Sequence, residues 1–520
     1  MKMKKLLALA LAGVMTAAMF AGCTSGDNGG SVAGNDGGNT TQDGGNSSGG
    51  GSDSGSGSGS GDVVTINVTK ATFNLAQADS DQVKKIETAI NEYIKDKINV
   101  QITLTDIGSG EYTDKVNLAL NNNELNLFWT ASWESTIGTN DLVPLNAVYD
   151  ITDLLQSEDG KTLYGSMDAG QWEATKYDGK NFYIPVYKDN VEGYDIMVRK
   201  ALVDKYNWDL GSISKLADIE PMLADCKSEG LKYPYLTQKT AMFYRWYLDS
   251  FDFFTGDATA NWVAVDRSKN EVVDTILTDE YLEFCTLMAD WAEKGYISED
   301  DVTKTTTDTT TQSQDWGFSW WTDVPVNDQA SGRYGQDVIL VSATDRWAHS
   351  TSALGSCYAI AANSTEEQAK ACLRFMGLLY TDKTLADMYV FGIEGEDFHY
   401  DNGHAVKDGD KVNNDMWHCA SATVVSPTDS EPDNFAELYT AFNGGAKTSC
   451  AAGFRFNKEP VSAQYTACQA VFEEYGFPLE NGGIPVADVQ KTIEAYQAAL
   501  DEAGYQDVLA EFQNQYNAWK

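Results

Sequence analysis

Positive charge is what this chain is shortest of: 37 Lys and Arg stand against 77 Asp and Glu in 520 residues, for a formal net charge of −40. A polyanion would be repelled and no basic patch relieves the imbalance, so no nucleic-acid partner is expected. Histidine is nearly absent, with 4 in the chain. The spacing of His399, His404 and His418–Cys419 matches no strong zinc pattern, so neither a metal nor a cofactor is expected. Also missing are a CxxC pair, an HExxH helix, a GxSxG elbow set between a strand and a helix, and a credible Cys–His dyad, which leaves no motif for an enzyme. No internal repeat is evident. Past residue 20 there is no long apolar run, hence no second membrane segment.

What is there begins with MKMKKLLALALAGVMTAAMFAGC. Lys2, Lys4 and Lys5 precede the uncharged apolar run Leu6–Phe20, the pattern of a secretory signal over residues 1–22. FAGC, ending at Cys23, resembles the lipobox of bacterial lipoproteins, with Phe20 where Leu is usual. That resemblance implies cleavage before Cys23, a lipid on its thiol and attachment to the membrane. Residues 24–61 are almost entirely Gly, Ser, Asn, Asp and Thr, with no aromatic residue. Such a run cannot bury enough surface to offset the entropy of ordering, and reads as a tether with a reach of roughly 35 Å. Seven cysteines follow Cys23, an odd number that leaves at least one thiol unpaired. Buried thiols, or a disulfide or two, are expected in preference to a metal site, and the pairing stays open.

About 460 residues remain beyond the tether, enough for two or three domains. Val64, Ile66 and Val68 share one face of a strand, and Val83, Ile86, Ile90 and Ile94 one stripe of a helix. Strands at 98–104 and 125–128 enclose a helix near 112–122. This βαβαβ run predicts an open parallel sheet. Ligands of such sheets sit beyond the carboxyl ends of the strands, where the stretch WTASWE begins. Further on, Asp178-Gly179 predicts a turn, 182–186 a strand broken by Pro185, and 198–206 and 214–228 helices. A short strand or turn is expected at 231–236, a strong helix over 281–294 and a polar Thr-rich loop over 301–315. A strand is expected at 337–341 and a helix over 365–380. From about 460 the chain reads as helical: 461–475, 486–503 and 505–519.

Four stretches then carry a family resemblance: DLVPLNAVYD at 141–150, QWEATKYDGKNFYIP at 171–185, EGYDIMVRKALVDKYNWDL at 192–210 and FGIEGEDFHY at 391–400. Together they resemble the bacterial extracellular solute-binding proteins, the lipoprotein receptors of ABC importers. The likeness is greatest to the large oligosaccharide-binding group whose C-terminal helical module has no known function. Arg199-Lys200 stands where maltose-type relatives often carry Asn-Lys. The resemblance implies an α/β, two-lobed periplasmic-binding-protein-like fold with a hinge and an interlobe cleft, plus C-terminal helices. It implies lobe 1 over 62–183 and again over 346–400, lobe 2 over 184–345, and lobe 2 completion with the helical module over 401–520. It also implies an oligosaccharide ligand, permease subunits of an ABC transporter as partners, and a monomer held at the extracellular face of the cell membrane.

A sugar ring has an apolar C–H face and an edge of hydroxyls, so its cleft needs flat aromatics mixed with planar polar groups. Three segments, read as loops, have that mixture. The first holds Trp129, Trp133 and Glu134. The second holds Trp316, Trp320 and Trp321 between Asp315 and Asp323, with the adjacent Trp320 and Trp321 pointing different ways. The third holds Asp345, Arg346, Trp347 and His349, for which a hinge salt bridge is the alternative. Tyr187, Asp189, Asp195 and Arg245-Trp246 are secondary ligand candidates, and FYRWY at 243–247 reads at least as well as core packing. Two other readings stay open: a binding protein for a peptide, amino sugar or other polar solute, and a secreted glycoside-active enzyme with a carboxylate pair.

Overall fold

The computed structural model describes residues 63–238, 240–253, 258–303, 315–326, 330–331 and 334–520. The export segment, Cys23, the tether expected through residue 61 and most of the loop expected over 301–315 lie outside the described residues.

The alternation Val64, Ile66, Val68 forms strand β1, Val64–Thr72, with Ile66 and Val68 fully buried. Helix α1, Ser80–Ile98, is started by Asp79, whose carboxylate accepts from the amides of Asp81 and Gln82. It packs Ile86, Ile90 and Ile94 inward. Strand β2 (Val100–Gly108), helix α2 (Ser109–Asn121) and strand β3 (Leu127–Thr130) follow. Both β2 and β3 run parallel to β1. After a hairpin at Asp178-Gly179, where both residues have positive φ, comes β4, Tyr183–Pro185.

The chain then crosses to a second sheet. Its strands are β5 (Tyr194–Arg199), β6 (Tyr233–Tyr235), β7 (Trp316–Thr322) and β8 (Val338–Ser342). It recrosses through β9, Trp347–Ala348, to β10, Cys357–Ile360, and later passes β11, Lys447–Thr448. The first sheet has the order β2-β1-β3-β10-β4, with β10 antiparallel to both neighbours, and the second the order β8-β5-β7-β6. Pro185 is tolerated because β4 is an edge strand. In β7, a Cβ on Gly317 would lie 2.6 Å from Cys226 Sγ and 2.8 Å from the Pro234 carbonyl, so only glycine lets these elements close.

Each sheet has its own apolar core. The first gathers residues from Ile66 to Tyr187 and from Leu354 to Tyr439, and the second residues from Ile196 to Phe318 and from Ala451 to Tyr516. The helices expected at the C-terminus are Ser462–Val471, Val489–Glu502 and Tyr505–Trp519, all packed on the second core. Two sequence expectations shift. Residues 401–439 were assigned to lobe 2, yet Ala405, Met416, Cys419, Phe435 and Tyr439 bury themselves in the first core. The stretch Trp316–Thr322, read as an aromatic loop, is a strand inside the second sheet, hydrogen-bonded to β5 on one side and β6 on the other. The seven cysteines past Cys23 are free thiols among the described residues, and all but Cys450 are buried.

Candidate ligand-binding cleft

In the first sheet the carboxyl ends of β1, β2, β3 and β4 lie along one edge. The amino end of β10 joins them, since Cys357 pairs with Thr130 on one side and with Pro185 on the other. The second sheet turns a matching edge toward the same space: the start of β5 at Tyr194 pairs with Thr322 at the end of β7. A cavity of about 490 Å³ opens between these edges. Ser132, Trp133, Ser352 and Gly355 line it from the first sheet, and Tyr194, Tyr244, Arg245 and Trp320 from the second. The size falls within the roughly 300–1,000 Å³ usual for small-ligand pockets.

Trp133 is 47 % exposed, and its indole N–H donates to the Gly355 carbonyl at 2.7 Å. This bond fixes the ring at the mouth and leaves a face open. On the other side the Arg245 guanidinium lies 3.7 Å from the Trp320 ring centre and 4.4 Å from that of Tyr244. Arg245 is 7 % exposed, so this is a desolvated cation–π cluster presenting both an aromatic face and planar donors. At the back, His349 bonds the Glu192 carboxylate, which also accepts from the Tyr194 hydroxyl. Burial acts to raise Glu192, but His349, Tyr194 and Arg245 outweigh it and bring the carboxyl down to about 2. Asp189, Glu192 and Asp323 thus give the cavity an acidic polar edge beside Lys188 and Arg245.

The other expected residues are distributed as follows. Trp129 is wholly buried: β3 runs on to Thr130, two residues further than the pattern suggested. Its N–H donates to Ser356 Oγ at 2.8 Å and its ring packs on Phe73 and Tyr112, so it offers no face to a ligand. Glu134 accepts from Thr113 Oγ1 at 2.7 Å and does not line this cavity, its carboxyl raised by burial. Trp316 is wholly buried in a small core with Met197 and Tyr233, because it opens β7 rather than a loop. Trp320 and Trp321 do point apart, into different cavities. Asp195 is 4 % exposed within β5; burial first, then the Asp323 carboxylate, pushes it up to about 7.

Arg346 and Trp347 stand at the crossing between the sheets. Arg346 pairs with Asp323 and lies over the Phe442 ring at 4.2 Å. Trp347 donates to Asp249 at 2.8 Å and carries the Arg267 guanidinium 4.1 Å from its ring centre. Here three crossing segments meet: Glu192 bridges Trp347, β9 pairs with β11, and Asn190 and Lys188 bond Asn443.

Sequence reasoning passed over Glu480. Its fully buried carboxylate accepts from the amides of Met242 and Phe243 at 2.7 and 3.0 Å, and from Asn261 Nδ2 at 2.7 Å. It therefore holds the turn Phe243–Trp246, which presents Tyr244 and Arg245, from the C-terminal helical region. Burial pushes its carboxyl up to about 6 against those donors. No local signal distinguishes it among 77 acidic residues.

Residues 88–393 match the family described as bacterial extracellular solute-binding protein, and residues 450–520 a domain of unknown function, DUF3502. The first match spans more than half of the chain, which therefore belongs to the bacterial extracellular solute-binding proteins, a binding and transport family rather than a catalytic one. A carbohydrate ABC transporter substrate-binding protein of Streptococcus pneumoniae serotype 4 is 22 % identical over 450 residues, covering 84 % of this chain and 88 % of the relative. The N-glycan transport solute binding protein NgtS of Streptococcus pneumoniae aligns with a TM-score of 0.74 at 20 % identity, over 88 % of this chain and 98 % of that one. A solute-binding protein of Bifidobacterium longum infantis, described as binding HMO, aligns at 0.61 with 14 % identity, over 88 % and 99 %. These structures share the α/β two-lobed fold.

Proposed function

We propose that this protein captures an extracellular oligosaccharide between its two sheets and delivers it to the permease subunits of an ABC transporter. The observation that carries the reading is the pairing of an exposed ring, Trp133, from the first sheet with the Arg245–Trp320 cluster from the second, around one cavity with an acidic edge. Flat rings cover the C–H faces of a sugar, and Glu192, Asp323 and Arg245 suit its hydroxyl edge. A ligand that touches both sheets favours the closed arrangement over the open one, which is what a permease would read. The matched family and relatives named for carbohydrate transport, N-glycan transport and HMO support the same class. The chain is read as a monomer, exported by residues 1–22 and anchored through a lipid on Cys23, with residues 24–61 as its leash.

Titration calorimetry with a panel of neutral oligosaccharides tests the binding. Heat of binding with at least one of them is expected, and Trp133→Ala should weaken that binding about tenfold. No heat with any glycan, together with binding of a peptide, would reject the sugar class. Radiolabelled palmitate incorporation that vanishes in Cys23→Ser checks the anchor.

A further inference from the structure

The cavity beside Trp133 does not end the cleft. A second chamber of about 1150 Å³ adjoins it, and Lys188, Asp189 and Thr322 line both. The topology explains the continuity. The end of β3 opens into the first chamber through Trp133, while the ends of β1 and β2 open into the second through Phe73 and Ser109. Since β2, β1 and β3 are consecutive in the sheet, one groove runs along its edge. Strand β7 serves both halves from the other side, giving Trp320 to the first and Trp321 to the second.

The second chamber repeats the chemistry of the first. Trp321 lines it from the second sheet. Trp417, its ring 4.7 Å from Phe73, lines it from the first. Neither Trp321 nor Trp417 is fully buried. Its charged lining is acidic: Asp189, Asp415, Asp429 and Glu431 against Lys188 and Lys407. We infer that this chamber is a second subsite that takes the outer rings of an extended, uncharged oligosaccharide whose inner ring occupies the first. The inference rests on the sugar-binding reading. Its volume exceeds the roughly 1,000 Å³ of a typical small-ligand pocket, which favours several rings over one. A uronate or sialic acid there would meet an excess of carboxylates in a partly enclosed space, where like charges repel more strongly than in water.

The test is calorimetry on the whole chain with two neutral short and long pairs, Man1GlcNAc with Man5GlcNAc and kestose with fructo-nystose, beside an alginate oligosaccharide. For the pair that binds, the long member is expected to bind about tenfold tighter or more. Trp321→Ala and Trp417→Ala should remove that gain and leave the short member unchanged. Ser430→Trp, at an exposed position on the chamber wall, should do the same by obstruction without touching a core. The alginate oligosaccharide should not bind. Equal affinity for short and long members, equal weakening of both by the variants, or tight binding of alginate would overturn the subsite. Loss of every sugar in the unsubstituted protein would instead strike the reading beneath it.

Discussion

The two walls of the cleft are built differently, and the difference separates the residues that line the cavity from those that hold them in place. The first wall stands directly on strand ends: Ser132 and Trp133 follow β3 by two and three residues, and Gly355 precedes β10 by two. The second wall is partly borrowed. Its Tyr244 and Arg245 sit on a single helical turn whose first amides are gripped by Glu480, from the segment matched as a domain of unknown function. The same segment donates Tyr505 OH to the Trp262 carbonyl at 2.8 Å, next to Asn261 in the cavity wall. The C-terminal helices thus act as a brace for half of the cavity wall.

If that contrast is right, Glu480→Ala should have the largest effect. It leaves two buried amides and an amide side chain without an acceptor, at a cost of about 3–5 kcal/mol in stability. Thermal unfolding and calorimetry should show a lowered Tm together with weakened sugar binding. Next come the two tryptophans of the first wall, which should split stability from affinity. Trp129→Phe removes a buried N–H donor and ring volume, costing roughly 1–3 kcal/mol in unfolding with little change in affinity. Trp133→Ala should do the reverse, costing affinity about tenfold and hardly any stability.

Asp195 sharpens the second wall's side of the comparison. Its folded pKa of about 7 lies above the value of an unfolded Asp, so its ionisation opposes folding as pH rises toward 7 and is without effect below about 4. Asp195→Asn should therefore match the parent at pH 4 and exceed it at pH 8 by on the order of 1–3 kcal/mol in denaturant melts. The smallest effect is expected at the crossing. Arg346 is more than a third exposed, so Arg346→Ala should change stability by less than about 1 kcal/mol while altering how readily ligand closes the cleft, as followed by small-angle scattering.

Much of the architecture could be read from the chain alone. Period-two runs such as Val64, Ile66 and Val68, helix stripes such as Ile86, Ile90 and Ile94, and the turn at Asp178-Gly179 are local signals, because side-chain direction follows backbone geometry within one element. The same holds for the three C-terminal helices. The lining of the candidate site was only partly legible. Trp133, Arg245, Trp320 and Trp321 do line cavities, whereas Trp129 and Trp316 are shut inside cores. An aromatic residue among Ser, Thr and Asp looks alike in either place. Its fate depends on whether a partner strand covers it.

Composition and local periodicity thus determined the α/β class and the kind of residue a sugar-binding cleft would need. Only the tertiary structure decided which tryptophans keep a bare face, that residues 401–439 belong with the first core, and that Glu480 reaches across 237 positions to hold the turn behind Arg245. Those outcomes depend on strand pairing and on contacts between distant segments, and no short stretch of sequence carries the energy of a partner it has not yet met.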